Sequence, residues 1–308
     1  MMRYGPSPTG LHVVDAHMHL WDPAVLTYQW LAQPKISFAG DAAKLPQPYG
    51  LAEYRRDAAF AAVPVHVHKI VHIEANADDP MAETAWLQRL AKTDPAGMPN
   101  AIVAAADLTG PHVGDALARQ ATYANVRGIR QILNRHVDAH FRYVERDYLN
   151  DPAWQRGFGW LARHHLSFDL QLYPTQMADA VRLARRHPDT LLILNHAGMF
   201  VDRGSVAGYR LWRDGLRALA ACDNVCIKLS GLVMVDHAWT VESLRPYVLK
   251  AIDLFGPARC LFASNFPVDG LHATYGAVWR TWAEIVVGAS ADEQHALFGG
   301  NAERVYRL

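Results

Sequence analysis

The sequence predicts a single-domain α/β protein folded as a closed (β/α)8 barrel of the TIM type, spanning residues 1–308. Three observations predict it. About eight short apolar runs recur along the chain, each is followed by a segment of helical period, and no glycine-rich turn follows the first run. Strands buried on both faces and alternating with helices make a parallel sheet, and eight such units in this length suggest closure. An open doubly wound sheet is the runner-up, but where its glycine-rich turn would stand the chain has His17 and His19.

Taken in order, MMRYGPSPTG (1–10) has no hydrophobic signal core and reads as a loose surface arm. Val13 and Val14 open the first strand. His17 and His19 lie two apart at its end, so in an extended chain both imidazoles face one direction. Residues 22–49 are long, irregular and rich in proline; Tyr28, Trp30, Leu31 and Phe38 argue against disorder, and the segment reads as a lid over the mouth of a site. Leu51–Ala62 reads as a helix, Lys69–Asn76 as a strand ending near Glu74, and PMAETAWLQRLAKTD as a helix with Pro80 in its first turn.

Ala101–Leu108 is a buried strand, His112–Tyr123 a helix, and Arg127–Leu133 a strand carrying Arg130. The next helix is capped by Asn150 or Asp151 ahead of Pro152. Ser167–Tyr173 is a strand with Gln171 near its end, TQMADAVRLARRH an amphipathic helix, and Leu191–Gly198 an apolar strand that runs into His196. A loop (199–208) leads to a helix at Tyr209–Ala221 and a strand at Asn224–Gly231, with Lys228 and Ser230 near its exit. Pro246 starts or kinks the following helix. The last strand, Cys260–Asp269, breaks at Pro267; Ser290 and Glu293 form a capping box, and Gly299-Gly300 reads as a helix stop.

Thirty basic residues balance thirty acidic ones, so no overall field favours nucleic acid or a membrane surface. No apolar run approaches the ~20 residues of a membrane span. Cys222, Cys226 and Cys260 have neither metal-ligand nor disulfide spacing, which fits a reducing cytoplasm. Exposed aromatics in the loops are compatible with a homodimer.

In a barrel the active site forms at the C-terminal ends of the strands. That rule gathers His17, His19, Glu74, Arg130, Gln171, His196, Lys228, Ser230, Asn265 and Asp269 into one constellation. Burying such groups without partners is costly, so they are expected to face one another across the mouth.

VDAHMHLWDP, GIRQIL, LILNHAG, NVCIKLSGL, LFASNFPVD and GGNAERVY, in that order and over nearly the whole chain, resemble the strand motifs of the amidohydrolase superfamily. They are most similar to its amidohydrolase-2 branch, which includes sugar-acid lactonases, other lactone hydrolases and some decarboxylases. The resemblance implies that His17 and His19 are the first-strand pair, that His196 is the sixth-strand histidine, and that Arg130 holds a substrate carboxylate. Two positions depart from the pattern. Gln171 stands where the superfamily often has a metal-binding histidine, and Asn265 stands where an Asp usually activates the attacking water; a neutral amide cannot take that proton.

Two mechanisms follow. His17, His19, His196 and Glu74 hold Zn²⁺ or Mn²⁺ with a water in an open position, Asp269 acting as base. Alternatively no metal binds, and the histidines polarise a carbonyl as hydrogen-bond donors. Each residue also has a plainer role. Glu74 pairs with Lys69 or Arg130, and Lys228 forms a salt bridge inside the barrel rather than acting as a nucleophile. Gln171 bonds a substrate hydroxyl or His19, or is a core amide. Asp269 caps the next helix, and Trp21 and Trp30 wall the pocket or pack the lid. His66 and His68 repeat the HxH spacing at the barrel's opposite end and carry little weight. The leading expectation is a hydrolase that opens a small lactone, most readily a sugar-acid lactone. The alternatives are a decarboxylase or lactone isomerase on the same barrel, or an inactive homologue that only binds.

Overall fold

The computed structural model describes residues 3–59 and 64–308. Eight parallel strands form the frame: β1 (Gly10–Met18), β2 (Val65–Ile73), β3 (Ala101–Ala105), β4 (Val126–Ile132), β5 (Ser167–Gln171), β6 (Leu192–Leu194), β7 (Val225–Leu229) and β8 (Cys260–Phe262). They are hydrogen-bonded in sequence order, as a chain of right-handed βαβ units requires. Between them run α1 (Leu51–Ala59), α2 (Pro80–Thr93), α3 (Val113–Ala121), α4 (Pro152–Phe158), α5 (Met177–Arg186), α6 (Val206–Ala220) and α7 (Val241–Phe255), and α8 (Tyr275–Ile285) follows β8. The expected end of the first helix, 60–62, lies outside the described residues.

The ring closes just past β8. Asn265 N donates to His17 O at 2.8 Å and His19 N to Phe266 O at 2.8 Å, around a parallel bridge between Met18 and Phe266. Asp15 completes this seam. Fully buried, its carboxylate accepts from Ser264 N (2.9 Å) and Ser264 Oγ (2.6 Å) across the joint, and from the hydroxyls of Tyr54 on α1 (2.9 Å) and Tyr275 on α8 (3.2 Å). Burial pushes its pKa up, and the bonds from Ser264 and Tyr54 pull it back.

Local expectations hold where a cap was written in the sequence. Asp151 accepts from Ala153 N and Trp154 N to start α4, and Ser290 with Glu293 makes the capping box. Three expectations are corrected. The N-terminal arm is not loose over its described part: Gly5–Ser7 pairs antiparallel with the start of β1, and buried Tyr4 bonds His295 Nδ1 and Glu303. Gly299-Gly300 does not stop the helix, which continues through a wide turn (Ala296–Gly300) into Asn301–Tyr306. Gly299 is there for room: a Cβ on it would lie 2.4 Å from the Tyr4 ring. Segment 22–49 is less irregular than expected, with a helical turn at Gln29–Ala32 and a small hairpin pairing Ile36–Ser37 with Gly40–Asp41.

The seam makes a strong stability prediction. Asp15→Ala strands four donors in the core and is expected to lower the unfolding free energy by about 3 kcal/mol or more, read from urea unfolding. A change within about 0.5 kcal/mol would contradict the seam's role.

Candidate active site

Three imidazoles converge at the C-terminal end of the barrel. The His17 ring lies 5.1 Å from that of His19 and 4.6 Å from that of His196, centroid to centroid. All three are buried. His19 and His17 come from the end of β1. His196 follows β6 in a tight turn and Asn265 follows β8, both with left-handed backbone (φ 54° and 56°), a conformation that costs about 1 kcal/mol or more away from glycine.

Hydrogen bonds fix what each ring can do. His19 Nδ1 faces the carbonyl of Ile73 at 2.8 Å; a carbonyl only accepts, so the proton sits on Nδ1 and Nε2 keeps its lone pair. His17 Nδ1 faces Lys228 Nζ at 3.4 Å, and an ammonium only donates, so the His17 proton sits on Nε2, a buried atom with no protein partner. His196 Nδ1 bonds Ser230 Oγ at 3.1 Å. The pKa values of all three are pushed well below the usual 6.5. Burial comes first in each case, followed by nearby positive charge: Lys228 against His17, Arg130 against His19 and His196.

The two cations are each locked by a carboxylate from the next strand but one, Arg130 on β4 by Glu74 past β2 and Lys228 on β7 by Asp169 on β5. Arg130 Nε donates to Glu74 Oε1 at 2.6 Å, one terminal nitrogen to Glu74 O at 2.7 Å and the other to Gln171 Oε1 at 2.9 Å. Each terminal nitrogen thereby keeps one uncommitted hydrogen. Lys228 Nζ lies 2.5 Å from Asp169 Oδ1, and Asp169 also accepts from Asn195 Nδ2 (2.9 Å) and the Tyr306 hydroxyl (3.0 Å). Burial brings Lys228 down to about 8 although Asp169 opposes the shift.

Asn265 stands between His19 and Asp269. Its Nδ2 donates to Asp269 Oδ1 at 2.7 Å. Asp269 is fully buried, Oδ2 has no hydrogen-bond partner, and burial raises its pKa well above the usual carboxylate value. It opens a single helical turn (Asp269–Leu271) and its side chain caps nothing, which corrects the capping role. Its second donor is the backbone of Gly231.

Of the four residues expected to share a metal, Glu74 does not join the imidazoles: Arg130 and Asn76 N occupy its carboxylate. Lys69 pairs instead with Glu303. Among the described residues no group of three or more His, Cys, Asp or Glu side chains is placed to hold a metal ion. Lys228 keeps a proton on His17 Nε2 and Glu74 is committed to Arg130, so the four residues expected to share a metal do not form its donor set. Trp21 packs the 22–49 segment: its indole donates to Pro46 O, and Trp30 meets it edge-on at 5.5 Å. His66 and His68 lie at the start of β2 beside His12, away from these rings.

Several site residues were missed. Asp169 had a signal, a lone acid in an apolar strand, two residues before Gln171 and hence on the same face. Gly231 is another. Its φ is +64° and a Cβ there would lie 2.5 Å from His196 Nδ1, so only glycine lets that ring sit where it does.

An amidohydrolase family profile matches residues 14–308. This chain belongs to the amidohydrolase family. Among its relatives are the uncharacterized protein y4mH of Sinorhizobium fredii, 43% identical over 96% of this chain and 98% of that one, and the L-fucono-1,5-lactonase of Burkholderia multivorans, 31% identical over 96% of each. A crystal structure of a Burkholderia multivorans amidohydrolase with bound zinc superposes with a TM-score of 0.79 at 27% identity, covering 96% of this chain and 99% of that one. The amidohydrolase barrel is therefore the fold here, and the protein is an enzyme of that family. Among the described residues no helix is long and apolar enough to cross a membrane, and the three cysteines are free.

Gly231→Ala in this amidohydrolase is expected to cost about 1–3 kcal/mol of stability and to shift the His196 ring resonances. Unchanged stability together with unchanged resonances would contradict the close approach.

Proposed function

We propose that this amidohydrolase opens a small lactone by attack of water on the ring carbonyl at the mouth of the barrel. The observation that carries the reading is the convergence of three neutral imidazoles on a half-committed guanidinium, in a chain similar over almost its full length to a lactonase. A neutral Nε2–H on His17 and the two spare hydrogens of Arg130 are suited to the carbonyl oxygen, or to a substrate carboxylate in the case of Arg130, and a buried site makes such donors effective as charge develops.

The attacking water must lose a proton. Asn265 cannot take it, and Asp269, one hydrogen bond further out, is the carboxylate we assign as base, held in place by Asn265 Nδ2. The water oxygen bonds to the carbonyl carbon, the ring C–O bond breaks, and the proton passes to the departing ring oxygen, leaving a hydroxy acid. Gln171 and Glu74 orient Arg130, and Lys228 holds His17 in the donor tautomer. No step is routed through a metal, because Lys228 keeps a proton on His17 Nε2 and Glu74 is committed to Arg130.

A second reading, decarboxylation or isomerisation on the same barrel, is favoured by one observation: an amide at position 265 where a base is usual. Proton release across a panel of lactones separates the readings. Hydrolysis releases acid, decarboxylation releases carbon dioxide, and isomerisation leaves the mass unchanged.

Three outcomes are expected for the hydrolase. Asp269→Asn lowers kcat by about a hundredfold or more, and loss of less than about threefold would remove Asp269 as base. Because burial raises the Asp269 pKa and only its deprotonated form accepts a proton, kcat/KM rises with pH along a limb above the ordinary carboxylate range. Treatment with a chelator leaves turnover unchanged; its abolition would overturn the metal-free assignment.

A further inference from the structure

Behind the site lies a buried acid that the chemistry above does not use. Glu83 is in the first turn of α2, where an acid commonly faces water and complements the helix dipole, yet here it is 1% exposed. Its Oε1 accepts from Ala75 N at 2.9 Å. Burial pushes its pKa up to about 7, although the Ala75 bond and then Arg130 pull it down. The neutral acid is therefore populated near pH 7, and what both forms share is an acceptor oxygen for Ala75.

His72 on β2 faces the same oxygen. The ring is fully buried and its Nδ1 accepts from Leu20 N at 3.1 Å, so its proton sits on Nε2. That Nε2 has no hydrogen-bond partner and lies 3.8 Å from Glu83 Oε1, an electrostatic contact and not a bond. Burial pushes His72 down to about 3, so the ring stays neutral.

The two amides held in this way flank the site. Leu20 follows His19, and Ala75 follows Glu74, which orients Arg130 through both its carboxylate and its carbonyl. Ala75 is gripped on both sides, its N–H by Glu83 and its carbonyl by the Trp30 indole at 2.8 Å. Asn76 then takes a left-handed backbone (φ 54°), and its N–H turns back to Glu74 Oε2 at 2.8 Å. Such a turn persists where its surroundings over-determine it. Without Glu83, the N–H groups of Ala75 and His72 would be buried with no acceptor nearby, and the turn would be free to move.

We propose that Glu83 is a positioning residue of the active site: from α2 it holds, through Ala75 N and the His72 ring, the backbone that delivers Glu74 to Arg130 and His19 to the other imidazoles. The placement rests on the geometry of the site, and its kinetic consequence rests on the lactone-hydrolase reading.

Nitrogen-15 NMR of the ligand-free protein tests the placement without turnover. In the wild type, His72 is expected to show the Nε2–H tautomer. Glu83→Leu removes the acceptor and is expected to move the Arg130 Nε–H and His19 Nδ1–H resonances. Glu83→Gln keeps a side-chain oxygen for Ala75 and is expected to leave both close to their wild-type positions. Glu83→Asp withdraws the carboxylate by one methylene; it is expected to move both resonances in the direction of Glu83→Leu and serves where that variant does not fold. With L-fucono-1,5-lactone as the probe, kcat of the folded Leu or Asp variant is expected to fall by about tenfold or more, and that of Glu83→Gln by less than about threefold. An acid that only braces α2 would change stability and leave the resonances and kcat alone. That result overturns the proposal, as does a proton on His72 Nδ1 or a displacement in Glu83→Gln as large as in Glu83→Leu. If the wild type does not open this lactone while the resonances respond as expected, the positioning role stands, because they are read without substrate, and the result counts against the hydrolytic reading alone.

Discussion

Two buried cation–carboxylate pairs govern this site. Arg130 with Glu74 and Lys228 with Asp169 place positive charge among three imidazoles while cancelling it locally. A buried pair of this kind adds little net stability, since desolvation offsets the attraction. Its value here is directional. Lys228 sets the tautomer of His17, and both cations hold neighbouring rings neutral, so the barrel mouth presents a donor at His17 and a lone pair at His19. The same pairs remove Glu74 from the expected metal ligands, because it is committed to Arg130.

The scaffold supplies the precision. His17 and His19 stand beside the joint between the last and first strands, where Asp15 gathers Ser264, Tyr54 and Tyr275 and so binds the joint to α1 and α8. The chemical groups therefore sit beside the joint that closes the ring. The connections past the strand ends meet in a second apolar cluster of Phe38, Tyr173, Met199 and Met234.

Much of this was legible in the sequence, for identifiable reasons. Parallel strands buried on both faces write themselves as apolar runs, so the eight-strand order and several polar residues at strand ends could be read directly: His17, His19, Arg130, His196 and Lys228 all lie where the barrel rule places them, whereas Asp169 inside β5 was passed over. Pairing was less legible. Glu74 had a ligand and an ion pair as equal prospects, and the choice depends on the reach of Arg130 across two strands, which no spacing encodes. The arm and Gly299 were misread together, since a glycine that accommodates Tyr4 from the far end of the chain looks locally like a stop signal. The cluster of Phe38, Tyr173, Met199 and Met234 was invisible because its members come from four separate connections.

The central claim is that the three imidazoles are neutral, with His19 protonated on Nδ1. Nitrogen-15 NMR of the histidine rings across pH 4–8 tests it most directly, because ring nitrogen shifts report protonation and tautomer separately. The account predicts that His17, His19 and His196 keep neutral-ring shifts well below pH 6.5, with the Nδ1–H signature at His19 and the Nε2–H signature at His17. A titration of any of the three at or above pH 6.5, or the opposite tautomer at His19, would contradict it.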